Sequence, residues 1–326
     1  MTDEQGAKTA EQPEEKPAVT RSVTVRVPAK VNVQLAVGGL RPDGFHDLAN
    51  VFLAVGLYDE VTATPADELR ITVSGADADS VPLDRTNLAA RAALALAERH
   101  GVEPRVRLHI DKDIPVAGGM AGGSADAAGA LVACDALWGT AASRAELLEI
   151  CAELGSDVPF SLVGGAALGR GRGELLTPLE TGGAFHWAFA VAEGGLSTPA
   201  VYRECDRLRA AEGQGATVDD VPDPEPSTAL LEALRTADAA ALAAAVTNDL
   251  QPAALSLRPA LADTLRAGTD AGALAALVSG SGPTCAFLAE DAEAAAAVAK
   301  ALAASGTCRA VRVATGPAAG AAVVRG

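Results

Sequence analysis

The run Pro115-Val116-Ala117-Gly118-Gly119-Met120-Ala121-Gly122-Gly123-Ser124-Ala125 sets four glycines and a hydroxyl between a stretch that reads as a strand and one that reads as a helix. Upstream, Val106, Leu108 and Ile110 alternate with Arg107 and His109; downstream, residues 125–137 are rich in helix formers with apolar side chains at helical spacing. At such a junction, backbone N–H groups can close around anionic oxygens, and the start of the helix adds about half a positive charge. Without a Cβ the chain can approach the anion closely. The chemistry on offer is phosphate binding. A flexible connection, or a helix packed hard against a sheet, would use the same residues.

The run does not end in Gly-Lys-Ser or Gly-Lys-Thr, and its glycines are not spaced Gly-x-Gly-x-x-Gly, so neither a Walker loop nor a dinucleotide fingerprint describes it. Ala127, Ala128 and Ala130, with Asp126 among them, let the start of the helix lie close to a neighbour. The formal net charge of −16 argues against nucleic acid and acidic membranes as partners, because both are bound by neutralising phosphates with Lys and Arg. Small molecules are the partners expected. Cys134, Cys151, Cys205, Cys285 and Cys308 are odd in number and widely separated, so neither a disulfide framework nor structural zinc is expected.

These residues need elements to hold them. The 326 residues are enough for about two domains. With aromatics at 3%, alanine and small aliphatics must fill the core. Residues 1–20 carry Glu, Gln, Lys and Pro without apolar periodicity and read as a disordered tail. They do not resemble an export signal, and no apolar run approaches the ~20 residues that cross a bilayer, so a cytoplasmic location is expected. Strands are expected at residues 23–27 and 30–37, then extended chain over 48–61, with turn chemistry at 38–44 between. Asn87 and Gly101 bracket a helix at Leu88–His100. Ser143-Arg144-Ala145-Glu146 is a capping box for a helix that Gly155 closes. Beyond a boundary placed between residues 178 and 179, the pattern is a strand at 186–192, a helix capped by Thr198 with Pro199 in its first turn, and helices at 227–245 and 260–268. Strands at 273–278 and 284–289 flank the Ser279-Gly280-Ser281-Gly282-Pro283 turn, and a helix at 292–304 and a strand at 309–314 follow.

Three blocks therefore occur in one order: Pro28-Ala29-Lys30-Val31-Asn32, the glycine run, and Ser279-Gly280-Ser281-Gly282-Pro283-Thr284. Together they resemble the GHMP kinase superfamily. Within it, the first block, the Asp43-Gly44-Phe45-His46 turn and Gly155-Ser156-Asp157-Val158-Pro159-Phe160 are similar to members that phosphorylate the 2-hydroxyl of a cytidylylated methylerythritol in the non-mevalonate isoprenoid route. The resemblance implies an α+β fold of two domains, at residues 21–178 and 179–326, the first like ribosomal protein S5 domain 2 and the second ferredoxin-like. ATP is the implied co-substrate, with Mg²⁺, and no metal is expected to be held by protein ligands alone. A monomer or a homodimer would serve.

The resemblance maps the phosphate loop to residues 115–125, with Lys112 on its nucleotide side, and makes Ser279, Gly280, Ser281 and Gly282 a turn closing over the phosphates. It maps the catalytic pair to Lys30 and Asp157, with Asn32 beside them. Cytosine would be held by His46 between Phe45 and Tyr202, near Thr198 and Pro199. Ala117 and Ala121 stand where the family often has glycine. Asp157 would take the proton of the substrate hydroxyl, and Lys30 would offset charge growing on the transferred oxygens. Each residue also has a structural reading: Asp157 as a helix cap, Lys30 as a solvated strand-end lysine, His46 as a turn residue, Tyr202 as a core cover, Ser124 as a small N-cap. His100, His109 and His186 take structural readings only. A homoserine- or mevalonate-type kinase, or a nucleotide-binding module without catalysis, would share the glycine loop and the closing turn.

Overall fold

In a computed structural model, which describes residues 21–215 and 217–326, the valines at 23, 25 and 27 open one 18-residue strand, β1 (Val23–Leu40). The two strands expected at 23–27 and 30–37 are joined, because a register shift at Pro28/Ala29 absorbs the proline without ending the ladder. β1 runs antiparallel to β2 (His46–Pro65). Next come β3 (Arg70–Gly75), α1 (Leu88–His100), β4 (Val106–Lys112), α2 (Gly122–Trp138), α3 (Arg144–Leu154), α4 (Val158–Val163), β5 (Ala166–Arg170) and β6 (Leu175–Leu179). The strands form a sheet ordered β3-β4-β2-β1, with β5 on the far part of β2 and β6 beyond it.

The second half contributes β7 (Phe185–Val191), α5 (Thr198–Ala211), α6 (Thr228–Thr236), α7 (Ala239–Ala245), β8 (Thr247–Asn248), α8 (Gln251–Leu257), α9 (Leu261–Asp270), β9 (Ala275–Val278), β10 (Cys285–Ala289), α10 (Ala292–Ser305), β11 (Ala310–Gly316) and β12 (Ala322–Arg325). A second, antiparallel sheet is ordered β11-β7-β10-β9. β8 and β12 return to the first sheet, each pairing with β1. The expected tail at residues 1–20 lies outside the described residues.

Alanine-rich α2 lies across β1 and β2. A Cβ on Gly129 would stand 2.7 Å from Val61 and 3.0 Å from Val27, so glycine sets how closely the helix approaches the sheet. Ala125, Ala127, Ala128, Leu131 and Cys134 of this helix are fully buried. The caps at Asn87, Gly101 and Ser143 form as expected. Three local expectations need correction. Helix α2 begins at Gly122 rather than 125, since the chain turns into it at Ala121. The stretch 227–245 splits at Ala237, whose φ of 55° ends α6 while the Asp238 carboxylate caps α7. Thr198 is the first residue of α5 and Ser197 stands at the cap position, leaving the Thr198 hydroxyl for another partner.

Candidate active site

The loop between β4 and α2 turns its carbonyls inward. Gly118 O accepts from Thr284 N at 3.3 Å and Met120 O from Lys30 N at 3.3 Å. Gly119 O accepts from Lys30 Nζ at 2.9 Å and Ser279 Oγ at 3.0 Å. Among the described residues, no backbone N–H of residues 119–124 donates to another protein group. With its carbonyls committed, the loop presents a row of amides to the cleft at the start of α2, which is what an anion requires. Ala117, Gly119 and Ala121 take φ of 52°, 75° and 61°. The two alanines thus hold the left-handed conformation that glycine adopts without strain. Gly119 has no alternative, as a Cβ there would sit 2.1 Å from Ser279 O.

Lys30 and Asp157 meet over the same cleft. Lys30 Nζ is 3.7 Å from Asp157 Oδ2 and donates to Asn32 Oδ1 at 2.6 Å; Asn32 in turn donates to Asn50 Oδ1 at 2.7 Å. The lysine is 4% exposed, which excludes a solvated strand-end role. Burial draws its pKa down and the Asp157 charge pushes it back only in part. Asp157 stands at the head of α4, yet its carboxylate makes no capping bond; Ser161 N bonds to the backbone oxygen instead. The carboxylate is therefore free to face the cleft, a third of its side chain exposed.

The turn between β9 and β10 packs against the loop: Gly280, Ser281 and Gly282 line the cleft, whereas Ser279, expected among them, is fully buried behind it. At Gly280, with φ of 57°, a Cβ would lie 3.0 Å from Asn32 Oδ1 and 3.2 Å from Lys30 Nζ. Asn248 Nδ2 donates to Val278 O at 2.7 Å and Gly280 O at 2.8 Å, fixing the turn from behind. The Thr198 hydroxyl, released from capping, pairs with Ser281 Oγ at 2.9 Å.

At the other end of this cleft of about 870 Å³ stand Phe45, His46, Pro199 and Tyr202. His46 is buried, with Nε2 2.9 Å from Asp206 Oδ1, a pairing that favours the tautomer protonated on Nε2 and leaves Nδ1 as acceptor. Tyr202 packs on the imidazole with ring centroids 5.1 Å apart at 32°. Burial, and then the Asp157 charge, pushes the Tyr202 phenol up, so it remains a neutral donor. Phe45 is 48% exposed, a large apolar ring on the lining of the cleft.

Most of the expected residues thus line one cavity, including Ala117, Gly118, Gly119, Ala121, Gly122, Gly123 and Ser124. Ser124 is the third residue of α2, and the cap position belongs to Ala121. Pro115, Val116, Met120 and Ala125 lie outside the lining, Met120 and Ala125 fully buried, and support the loop from within. Lys112 corrects the expectation of a lysine on the nucleotide side. Its ammonium is sealed behind the loop, 2.5 Å from Asp59 Oδ2 and 2.9 Å from Asp126 Oδ2, with the side chain 1% exposed. The apolar strand pattern around Asp59 and the alanines around Asp126 hid two carboxylates that require a cation when buried. Asn50, Asp206 and Asn248 were also missed; no local pattern marks them, since each acts on a partner distant in sequence.

Models of two families match the chain: GHMP kinases N terminal domain over residues 87–165 and GHMP kinases C terminal over residues 230–308. The chain is 77% identical over 303 residues to a 4-diphosphocytidyl-2-C-methyl-D-erythritol kinase of Streptomyces avermitilis, an alignment covering 93% of this chain and 100% of that protein. A crystal structure of 4-(cytidine 5'-diphospho)-2C-methyl-D-erythritol kinase matches with a TM-score of 0.72 at 32% identity, over 90% of this chain and 99% of that one. A homoserine kinase from Cytophaga hutchinsonii matches with a TM-score of 0.71 at 22% identity, over 95% and 99%, a likeness of fold alone.

Proposed function

This chain belongs to the 4-diphosphocytidyl-2-C-methyl-D-erythritol kinases of the GHMP superfamily, and we propose that Lys30 and Asp157 carry its chemistry while the amides of residues 119–124 hold the phosphates of ATP. The reaction moves the γ-phosphoryl group to the 2-hydroxyl of the cytidylylated substrate. Such transfers depend mainly on positioning and on stabilising charge. Asp157 accepts the proton of the hydroxyl. Lys30, held by Asn32 Oδ1 and Gly119 O, keeps its ammonium beside the reacting oxygens and offsets charge as it develops.

The cytidine end occupies the cleft at Phe45, His46 and Tyr202. Stacking on an aromatic face binds the flat pyrimidine, and Nδ1 of His46 accepts from its exocyclic amine. Thr198 and Pro199 complete this wall, and the Ser279–Gly282 turn covers the phosphates. Among the described residues, no group of three or more His, Cys, Asp or Glu is arranged to hold a metal. Mg²⁺ would therefore arrive on the phosphates of ATP, with Ser124 Oγ and the Asp157 carboxylate as the oxygen donors facing it. Bound there, it would neutralise phosphate charge.

The five cysteines are free, which supports a reducing, cytoplasmic setting, and among the described residues no helix is long and apolar enough to cross a membrane. Homoserine and mevalonate phosphorylation are disfavoured by the aromatic and histidine groups, which those substrates would leave unused. The observation that carries the proposal is the 3.7 Å approach of Lys30 Nζ to Asp157 Oδ2 across from the amide-lined loop. In an assay with MgATP and 4-diphosphocytidyl-2-C-methyl-D-erythritol, Asp157→Asn should lower kcat about 10²–10⁴-fold with KM for ATP changed by less than severalfold. Near-normal turnover by that variant would remove Asp157 from the mechanism.

A further inference from the structure

Both substrates of the proposed reaction are polyanions, and the chain carries a net charge of −16, so local cations must be found at the cleft itself. The positively charged residues lining it are Lys30, Arg172 and Arg203. Lys30 is already committed to Asp157, Asn32 and Gly119. Nearby arginines are neutralised: Arg41 by Asp43 and Asp47, and Arg170 by Glu225.

Arg172 differs. It stands at the tip of the β5–β6 turn, between Gly171 and Gly173 with φ of 65° and 108°, and its guanidinium lies 5.1 Å from the centre of the Phe45 ring. Its only ion pair among the described residues is a loose one, Nε to Glu174 Oε1 at 3.6 Å, because Glu174 is engaged by the backbone N–H of Arg172 at 2.7 Å. The turn is tied to the substrate wall: Leu48 N donates to Gly171 O at 2.8 Å, two residues beyond His46. A guanidinium lying over an aromatic ring keeps its N–H edge free for oxygen atoms, and its planar fork suits phosphate.

We propose that Arg172 is a specificity-determining residue that binds the diphosphate of the cytidylylated substrate through its guanidinium edge while its face lies over Phe45. The proposal rests on the function proposed above. It assigns the substrate's charge to a side chain outside the catalytic pair, on the wall that receives the base. A substrate lacking the diphosphate loses this contact and keeps the stacking.

The test uses the purified full chain, Arg172→Gln and Arg172→Lys, with steady-state kinetics and competition by cytidine, CMP and CDP. Loss of charge-assisted hydrogen bonds should raise KM for the cytidylylated substrate about ten- to a hundredfold in Arg172→Gln, with kcat and KM for ATP within about twofold. CDP should weaken by a similar factor and cytidine by less than about twofold, and Arg172→Lys should recover part of the CDP affinity. Thermal unfolding of both variants checks the fold; should Arg172→Gln unfold, the lysine variant alone must still show the loss of CDP over cytidine. Equal losses for cytidine, CMP and CDP would overturn the proposal, since Arg172 would then act only through the Phe45 ring. A rise in KM for ATP with the CDP affinity intact would overturn it as well. A wild-type enzyme that turns over the substrate yet shows no preference for CDP over cytidine would defeat it with the function intact, whereas a wild-type chain without turnover and indifferent to all three would defeat the function itself.

Discussion

Replacing Lys112 with methionine removes the one cation from a buried group of two carboxylates, and the structure sets the size of the loss. The ammonium lies 2.5 Å from Asp59 and 2.9 Å from Asp126, with the three side chains 1%, 0% and 4% exposed. Removing one member of such a set costs about 3–5 kcal/mol, a large share of the ~5–15 kcal/mol that holds a folded protein together. Part of this loss should reach the active site, because Asp59 Oδ1 also accepts from Asp113 N at 2.8 Å and Ile114 N at 2.9 Å, where the chain enters the phosphate loop. The pH dependence follows from Asp126. Burial pushes its carboxyl up to about 8 against the opposing pull of Lys112, and although burial alone would lower Lys112, the charges of Asp126 and Asp59 raise it. A carboxyl raised on folding binds more protons folded than unfolded. Its contribution to stability is complete below the ordinary carboxylate range and is lost as pH rises toward about 8. Lys112→Met, with no cation left, should therefore be least stable at alkaline pH and recover as the Asp126 carboxyl takes up its proton. Urea denaturation at about pH 5.5 and about pH 8.5 measures this, and Asp126→Asn should flatten the wild-type dependence over the same window. Wild-type stability in Lys112→Met at the higher pH, with kcat lowered all the same, would refute the anchoring role and return Lys112 to the nucleotide chemistry.

Tyr202→Ala removes a stacking surface of about 1–3 kcal/mol, so KM for the cytidylylated substrate should rise about five- to a hundredfold with KM for ATP unchanged; a rise confined to ATP would contradict the placement of the base. Ala121→Gly relieves a left-handed alanine and should stabilise the protein by about 0.5–1 kcal/mol in thermal unfolding. A lowered midpoint would show that the alanine methyl contributes more through packing than it loses through strain.

Elements with a local cause were legible from the chain. The caps at Asn87 and Ser143 and the alternation through residues 106–110 act over a few residues, and each formed where its chemistry lies, although the Glu146 carboxylate pairs with His100 rather than completing the capping box. Elsewhere a local reading met a competing long-range one. The Thr198 hydroxyl reads as a cap, but its partner is Ser281, and the resemblance sets Lys112 on the nucleotide side only while Asp59 and Asp126 are out of view.

Neighbouring residues alone settle the glycine junction between strand and helix, the small-residue core, the net charge and the blocks that carry the resemblance. The packing of distant segments sets Lys30 against Asp157, Asp206 against His46, Asn248 behind the Ser279–Gly282 turn and Arg172 over Phe45. The reason is physical. Backbone propensity and turn chemistry are settled between neighbours in the chain, whereas the environment of a charge depends on which distant groups the packed sheets bring within a few ångströms of it.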